Sequence, residues 1–271
     1  MTCCIAAACE MDDDPRIVLC SDLRVETPEA GAENELKFRW AAENWPALIA
    51  GDVARAEGLL QTYLEYRVQR QTVKLTDINI LEEFKVPAQL QKRKMIDDYV
   101  KSQLGISYSD FLRKGKQALD PDVFRDMLYQ IRSILLGCEL IITGFTSDGA
   151  RLLRVDQDCS VSWQQNFSVI GTGASIASAA LFQREQSIDL SFEETIYNVY
   201  EAQRLAQIAP SVGEDLAINV IAPPKPKGGG IREFALTEDG ESYLERQYRK
   251  YGLKPVKEIR IDRAFLERIA G

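Results

Sequence analysis

The sequence predicts an α+β fold, a four-layer αββα sandwich with an enlarged helical region and a C-terminal extension. Three observations carry that expectation. Short strand-like runs fall into two groups separated by a long helical stretch. These runs are apolar on both faces, as strands covered on both sides must be. Helical periods then follow the second strand group, before one last apolar run. Two sheets facing each other, with helices outside both, would bury all of these faces; other α/β arrangements share the same periodicity.

The first third reads as β. IAAAC (residues 5–9) and RIVLCSD (16–22) are joined by the acidic turn EMDDDP in a hairpin pattern. LKFRWA (36–41) and WPALIAG (45–51) make a second pair around a polar EN. After Gly51 the period changes, and Ala54, Leu59, Leu60, Tyr63 and Tyr66 recur at helical spacing. Helical character continues to about residue 136, with breaks expected at Pro87, Gly105 and Asp120-Pro121. Asp120 as N-cap with Pro121 in the first helical position is a good helix start.

Strand character returns in CELIITGF (138–145), LLRVD (152–156) and VSWQQNFSVIG (161–171), punctuated by TSDG and QDCS. One helix follows the glycines of GTGAS. The next opens at Ser191-Phe-Glu-Glu194, a capping box whose two side chains satisfy reciprocal end donors. LAINVI (216–221) is the last core strand, and PPKPKGGG (223–230) reads as a linker, stiff and then flexible. The expected organisation is a core over 1–222, with a helical insertion at roughly 70–120, then a linker and C-terminal extension over 223–271. The extension should hold an amphipathic helix near 237–250 and a short strand, KEIRI.

At 271 residues, 45% hydrophobic and 27% charged, the chain has ordinary globular composition and enough length for a sizeable core. Its net charge of −8 would repel a phosphate backbone, and the basic patch QKRKMIDD carries its own acids, so no nucleic-acid partner is expected. No apolar run reaches membrane-spanning length, and the start lacks the basic region of a signal peptide. No membrane association and a cytoplasmic location are therefore expected. The six cysteines would stay reduced there, and none forms a CxxC pair, so neither a zinc site nor any other cofactor is expected.

The chain contains no histidine. That removes Ser-His-Asp and Cys-His catalysis, His-ligated metals and the usual base near neutral pH. One remaining base is a free main-chain amine, whose reference pKa near ~8 leaves it partly neutral at pH 7. Threonine paired with its own terminal amine is a recognised activated nucleophile. Thr2 follows Met1 directly, and methionine aminopeptidases act on Met before a small residue. Removing Met1 would leave hydroxyl and amine on one residue, at the head of a strand.

With these motifs in order, the chain resembles the β-subunits of the proteasome and the related bacterial heat-shock peptidase, which are N-terminal-nucleophile hydrolases. The resemblance runs over residues 2–221. TCCIAAAC is similar to the strand presenting the catalytic threonine, LCSDLRVE to the strand ending in aspartate, and ELKFRW supplies a lysine. WPALIAGDVARAEGLL is similar to the strand, glycine and helix that follow. LLRVDQDCSVSWQQNFSVIGTGASIASAAL is similar to the hairpin, Gly-Ser-Gly turn and helix of the second half, and SFEETIYNVYEAQ to the next helix.

The resemblance implies roles. Thr2 would be the nucleophile and its amine the base, then the acid to the leaving group. The charge of Lys37 would favour the neutral amine, and Asp22 would hold Lys37. The Gly51 N–H would stabilise the oxyanion. Thr172 takes the serine position of the Gly-Ser-Gly turn, and Ser211 and Gly213 match a later Ser-Gly pair. The chain departs from the pattern at Ile208, which stands where the family has an aspartate. The implied activity is hydrolysis of amide bonds, in a peptide or a small amide, by a homo-oligomer (ring or dimer) with inward-facing sites; whether an ATPase feeds it is not encoded. Specificity would come from residues just before Gly51 and near Arg24.

Each residue also has a plain structural reading: Asp22 and Lys37 a strand-edge ion pair, Gly51 a strand-to-helix turn, GTGAS a helix start. An inactive member of the fold with an assembly role is the alternative for the whole chain. Cys3 is a poor nucleophile candidate, since it becomes terminal only if Thr2 is also removed.

Overall fold

The computed structural model describes residues 2–11, 14–26, 31–33, 36–70, 74–224 and 230–253, with backbone alone at 25–26 and 31–33. Met1, the middle of the expected linker and the expected strand KEIRI lie outside these residues. In chain order the elements are β1 (Cys3–Cys9), β2 (Arg16–Asp22), β3 (Arg24–Glu26), β4 (Gly31–Glu33), β5 (Phe38–Ala42), β6 (Trp45–Gly51) and the helices α1 (Val53–Gln69), α2 (Ile80–Leu104), α3 (Tyr108–Ala118) and α4 (Pro121–Ser133). Then come β7 (Cys138–Thr146), β8 (Gly149–Val155), β9 (Val161–Gln164), β10 (Phe167–Gly171), α5 (Ala174–Gln183), α6 (Phe192–Ala206), β11 (Leu216–Ala222), β12 (Arg232–Ala235) and α7 (Glu238–Tyr251).

The fold is mixed α/β, with two five-stranded antiparallel sheets. One has the order β10-β1-β2-β11-β12 and the other β5-β6-β7-β8-β9, while β3 and β4 form a separate hairpin. Every residue of β1 is buried. Side chains alternate along a strand, and Cys4, Ala6 and Ala8 share one apolar cluster with Leu48, Ala50, Ile141 and Leu152 of the other sheet. Helices α5 and α6 lie against β1, and α6 also against β2, whereas α1 and α2 lie against the sheet of β5–β9. Complete burial of a side chain such as Ile5 contributes about 1.5–3 kcal/mol.

The two sheets are also tied by polar contacts. At the far end of β1, the Glu10 carboxylate accepts the Ala150 N–H at the start of β8. In the middle, Arg154 of β8 donates to the Val169 carbonyl of β10 at 3.2 Å and to Glu139 of β7 at 2.8 Å. At the near end lies the Lys37–Asp22 pair described below.

Four expectations change. Pro87 does not break the helical region: it sits buried inside α2, which continues from Ile80 to Leu104. Proline removes one ladder hydrogen bond there, and the burial of Phe84, Pro87 and Ala88 against the sheet keeps the helix continuous. In α1 the inward stripe is Ala56, Leu59, Leu60 and Tyr63, and Ala54 is exposed. The run VSWQQNFSVIG is two strands in two different sheets. Its break is held at Asn166, whose carbonyl accepts from Ala8 N–H at 3.0 Å and whose side chain accepts from Ile188 N–H at 3.2 Å. Finally β12, beyond the linker residues, pairs with β11, so the first compact unit runs to Leu236 and the second covers Thr237–Gly271.

Helix starts follow their cap residues. Asp120 accepts from Asp122 N–H at 2.9 Å ahead of Pro121, and Ser191 and Glu194 form the reciprocal capping box of α6. Helices α2–α4 carry a small core of their own, centred on Val100, Phe111, Met127 and Ile131. In the second unit α7 is capped by Thr237, which accepts the Gly240 N–H at 3.3 Å. No helix among the described residues is long and apolar enough to cross a membrane.

Candidate functional site

Asp22, the last residue of β2, is fully buried and organises the head of β1. One carboxylate oxygen, Oδ1, accepts the Thr2 hydroxyl and the Cys3 N–H, the latter at 2.8 Å. The other, Oδ2, accepts the Gly213 N–H at 3.2 Å, from the turn before β11. Lys37, directly before β5, reaches across from the other sheet. Its Nζ lies 2.9 Å from Asp22 Oδ1 and donates to the Asp22 carbonyl at 2.8 Å. The lysine side chain is 6% exposed and the aspartate 0%, so this is a buried pair and not a strand-edge surface contact. Two buried charges are tolerated only when paired and hydrogen-bonded, and here both conditions hold.

Thr2 itself is 3% exposed. Its carbonyl accepts the Thr172 hydroxyl at 3.2 Å and the Gly173 N–H at 3.3 Å. The Thr172 hydroxyl is also 2.8 Å from Ser211 Oγ, so the GTGAS turn and the loop after α6 meet at the main chain of Thr2. Gly171, with φ +93, packs so closely on Thr2 that a Cβ there would lie 2.3 Å from the Thr2 carbonyl oxygen.

Gly51 closes β6 with φ +95, where a Cβ would fall 2.6 Å from the Gly137 carbonyl oxygen. Cys4 joins this strand to β1, since its thiol donates to the Ile49 carbonyl at 3.3 Å. Gly51 is thus placed two residues beyond a direct contact with the strand that carries Thr2. Ile208, by contrast, follows α6 in an exposed turn, 73% accessible, and brings no charge to the site.

No family model and no curated protein matches the chain.

The structure therefore sets Asp22 in direct contact with both Thr2 and Lys37, joins Thr172 to the Thr2 main chain and Ser211 to Thr172, and sets Gly51 at the end of β6 in the other sheet. The resemblance points to Gly213 without giving its N–H a role, and the N–H of Cys3 is not legible from residue type, because any residue offers the same donor. The sulfur of Cys4, 3.9 Å from Thr2 Oγ1, was equally silent.

The neighbouring thiols are not set up as nucleophiles. Burial first, then the nearby Cys4 and Asp22, push the Cys3 thiol well above its ordinary value. Burial drives Cys4 up to about 12. A thiol that stays protonated at neutral pH lacks the reactive thiolate. Among the described residues no group of three or more Cys, Asp or Glu is placed to hold a metal ion.

Proposed function

We propose that the chain is an N-terminal-nucleophile hydrolase, built as a four-layer αββα sandwich, that cleaves amide bonds with Thr2 once Thr2 is the first residue. The observation carrying this reading is the contact of Thr2 Oγ1 with an Asp22 carboxylate that is itself paired to Lys37, assembled from segments far apart in the sequence. Helices against the outer side of each sheet and an apolar cluster common to both sheets support the sandwich.

In this mechanism the Thr2 amine takes the hydroxyl proton as Oγ attacks the amide carbonyl carbon. The carbonyl π electrons move to oxygen, and the Gly51 N–H steadies that oxyanion. Lys37 supplies fixed positive charge, and Asp22 holds it in place. The protonated amine passes its proton to the leaving nitrogen as the C–N bond breaks, leaving an ester on Thr2. Water then adds to the ester carbonyl with the amine again as base, releasing the acid and restoring Thr2. In the state described, the hydroxyl donates to Asp22, so it must first rotate toward the amine. Thr172, itself held by Ser211, braces the Thr2 main chain in place of a carboxylate at position 208.

The burial of Thr2 and the engagement of its hydroxyl and carbonyl favour a second reading, a catalytically silent member of the fold with an assembly role. Hydrolysis of a panel of fluorogenic peptide amides and simple aryl amides separates the two. Turnover by the wild type, retained in part by Thr2→Ser and abolished by Thr2→Ala, is the expected result. No turnover of any amide by a chain that begins at Thr2 would overturn the enzymatic reading. We propose a homo-oligomer whose sites face inward, which size-exclusion with light scattering tests.

A further inference from the structure

A concave surface lies where α2 and the start of α3 meet the turn before β9. Helix α2 carries Lys85, Gln89, Lys92, Arg93 and Ile96 along one stripe, at the spacing that puts residues on one helix face. With Tyr108 at the start of α3 and the turn Asp158-Cys159-Ser160 before β9, they line an open cavity of about 430 Å³. That is the size of a small-molecule site. A further cavity of about 460 Å³ shares Arg93 and Tyr108 as its wall and adds Lys94.

The charge of this place runs against that of the chain. Lys85, which pairs with Glu82 at 3.6 Å, lines the first cavity together with Lys92, Arg93 and one acid, Asp158, while the whole chain carries −8. Lys92 is oriented inward by donating to the Asp158 carbonyl at 3.3 Å. The Asp158 carboxylate is engaged by its own turn, accepting the Ser160 N–H at 2.8 Å. The acid of the second cavity, Asp97, is likewise occupied, by Lys101 at 2.6 Å and by the Tyr108 N–H at 2.8 Å. Ile96, the Tyr108 ring and Cys159 supply apolar wall between the cations.

We infer that this cavity binds a small organic anion, a phosphate or carboxylate carried on an apolar body. The body rests on Ile96 and Tyr108, and the anionic group meets Lys92 and Arg93, where charge-assisted hydrogen bonds are the strong ones. The inference does not depend on catalysis by Thr2.

Titration of the full chain with 1-naphthyl phosphate, 1-naphthol and inorganic phosphate, followed by calorimetry, tests it. Saturable one-site binding of 1-naphthyl phosphate is expected, at least about tenfold tighter than either fragment and weakened by salt. The double variant Lys92→Gln/Arg93→Gln should lose about tenfold or more in affinity with an unchanged melting temperature. Lys250→Gln, on α7, should bind as the wild type does. Absence of saturable binding, equal binding of 1-naphthol, or undiminished binding by the folded double variant would each overturn the inference. A 1-naphthyl carboxylate arm decides between the two anionic groups: tighter phosphate binding assigns a phosphate ester, tighter carboxylate binding an organic acid.

Discussion

Lys37 Nζ sits 2.9 Å from Asp22 Oδ1 and also donates to the carbonyl of the same residue, joining the two sheets at the head of β1. Asp22 in turn accepts the Thr2 hydroxyl, so one buried ion pair fixes the position of the proposed nucleophile.

Removing one partner of that pair leaves the other charge buried and alone. Lys37→Met or Asp22→Asn should each destabilise the fold by about 3–5 kcal/mol. The double variant Asp22→Asn/Lys37→Met should cost less than the sum of the two. Urea unfolding in a double-mutant cycle measures this. Additive losses would mean that the two side chains do not act as a pair.

The glycines at the site are set by close approach. Gly51→Ala forces a side chain into φ +95 and against the Gly137 carbonyl, and Gly171→Ala does the same against the Thr2 carbonyl. Each should lose about 1–3 kcal/mol. Amide exchange in Gly171→Ala should show loosening centred on residues 2–4, whereas an unchanged pattern there would contradict the packing described.

Alkaline pH should destabilise the protein through its thiols. Burial lifts Cys4 and Cys138 to about 12 and Cys159 to about 11, against an ordinary 9.0. The unfolded chain therefore loses these protons first. The stabilisation is complete below pH 9 and is lost as pH climbs from 9 toward 12. Urea midpoints should hold steady from pH 7 to 8.5 and fall above 9, with a shallower fall in Cys4→Ala. An identical slope in that variant would remove Cys4 from the account.

The capping box of α6 gives a local test. Ser191→Ala removes the acceptor of the Glu194 N–H, 3.2 Å away, and should cost about 1 kcal/mol. Thermal unfolding reads this directly, and no change would show that the cap is replaced by solvent.

Much of the fold was legible because strands buried on both faces leave unbroken apolar runs, as in IAAAC and CELIITGF, and because Asp120, Pro121 and Ser191 mark helix starts by their chemistry. Pro87 misled because tertiary burial outweighed a local rule. The split of VSWQQNFSVIG was hidden because its two strands share one periodicity, and only Asn166 in the fold separates them. At the candidate site, the resemblance pointed to Thr2, Asp22 and Lys37, whose side chains carry the contacts. The backbone donor of Cys3 has no signature in residue type, and Gly213 was marked by the resemblance alone. The cationic cavity on α2 was masked in sequence by the neighbouring acids of QKRKMIDD, of which Asp97 is paired with Lys101 in the structure.

The central claim is that Thr2 is a live terminal nucleophile. Intact mass and peptide mapping, before and after treatment with a threonine-directed β-lactone, test it most directly. The account predicts a chain beginning at Thr2 and one adduct, carried by Thr2. A chain that retains Met1, or one beginning at Thr2 that stays unmodified under excess electrophile, would contradict it.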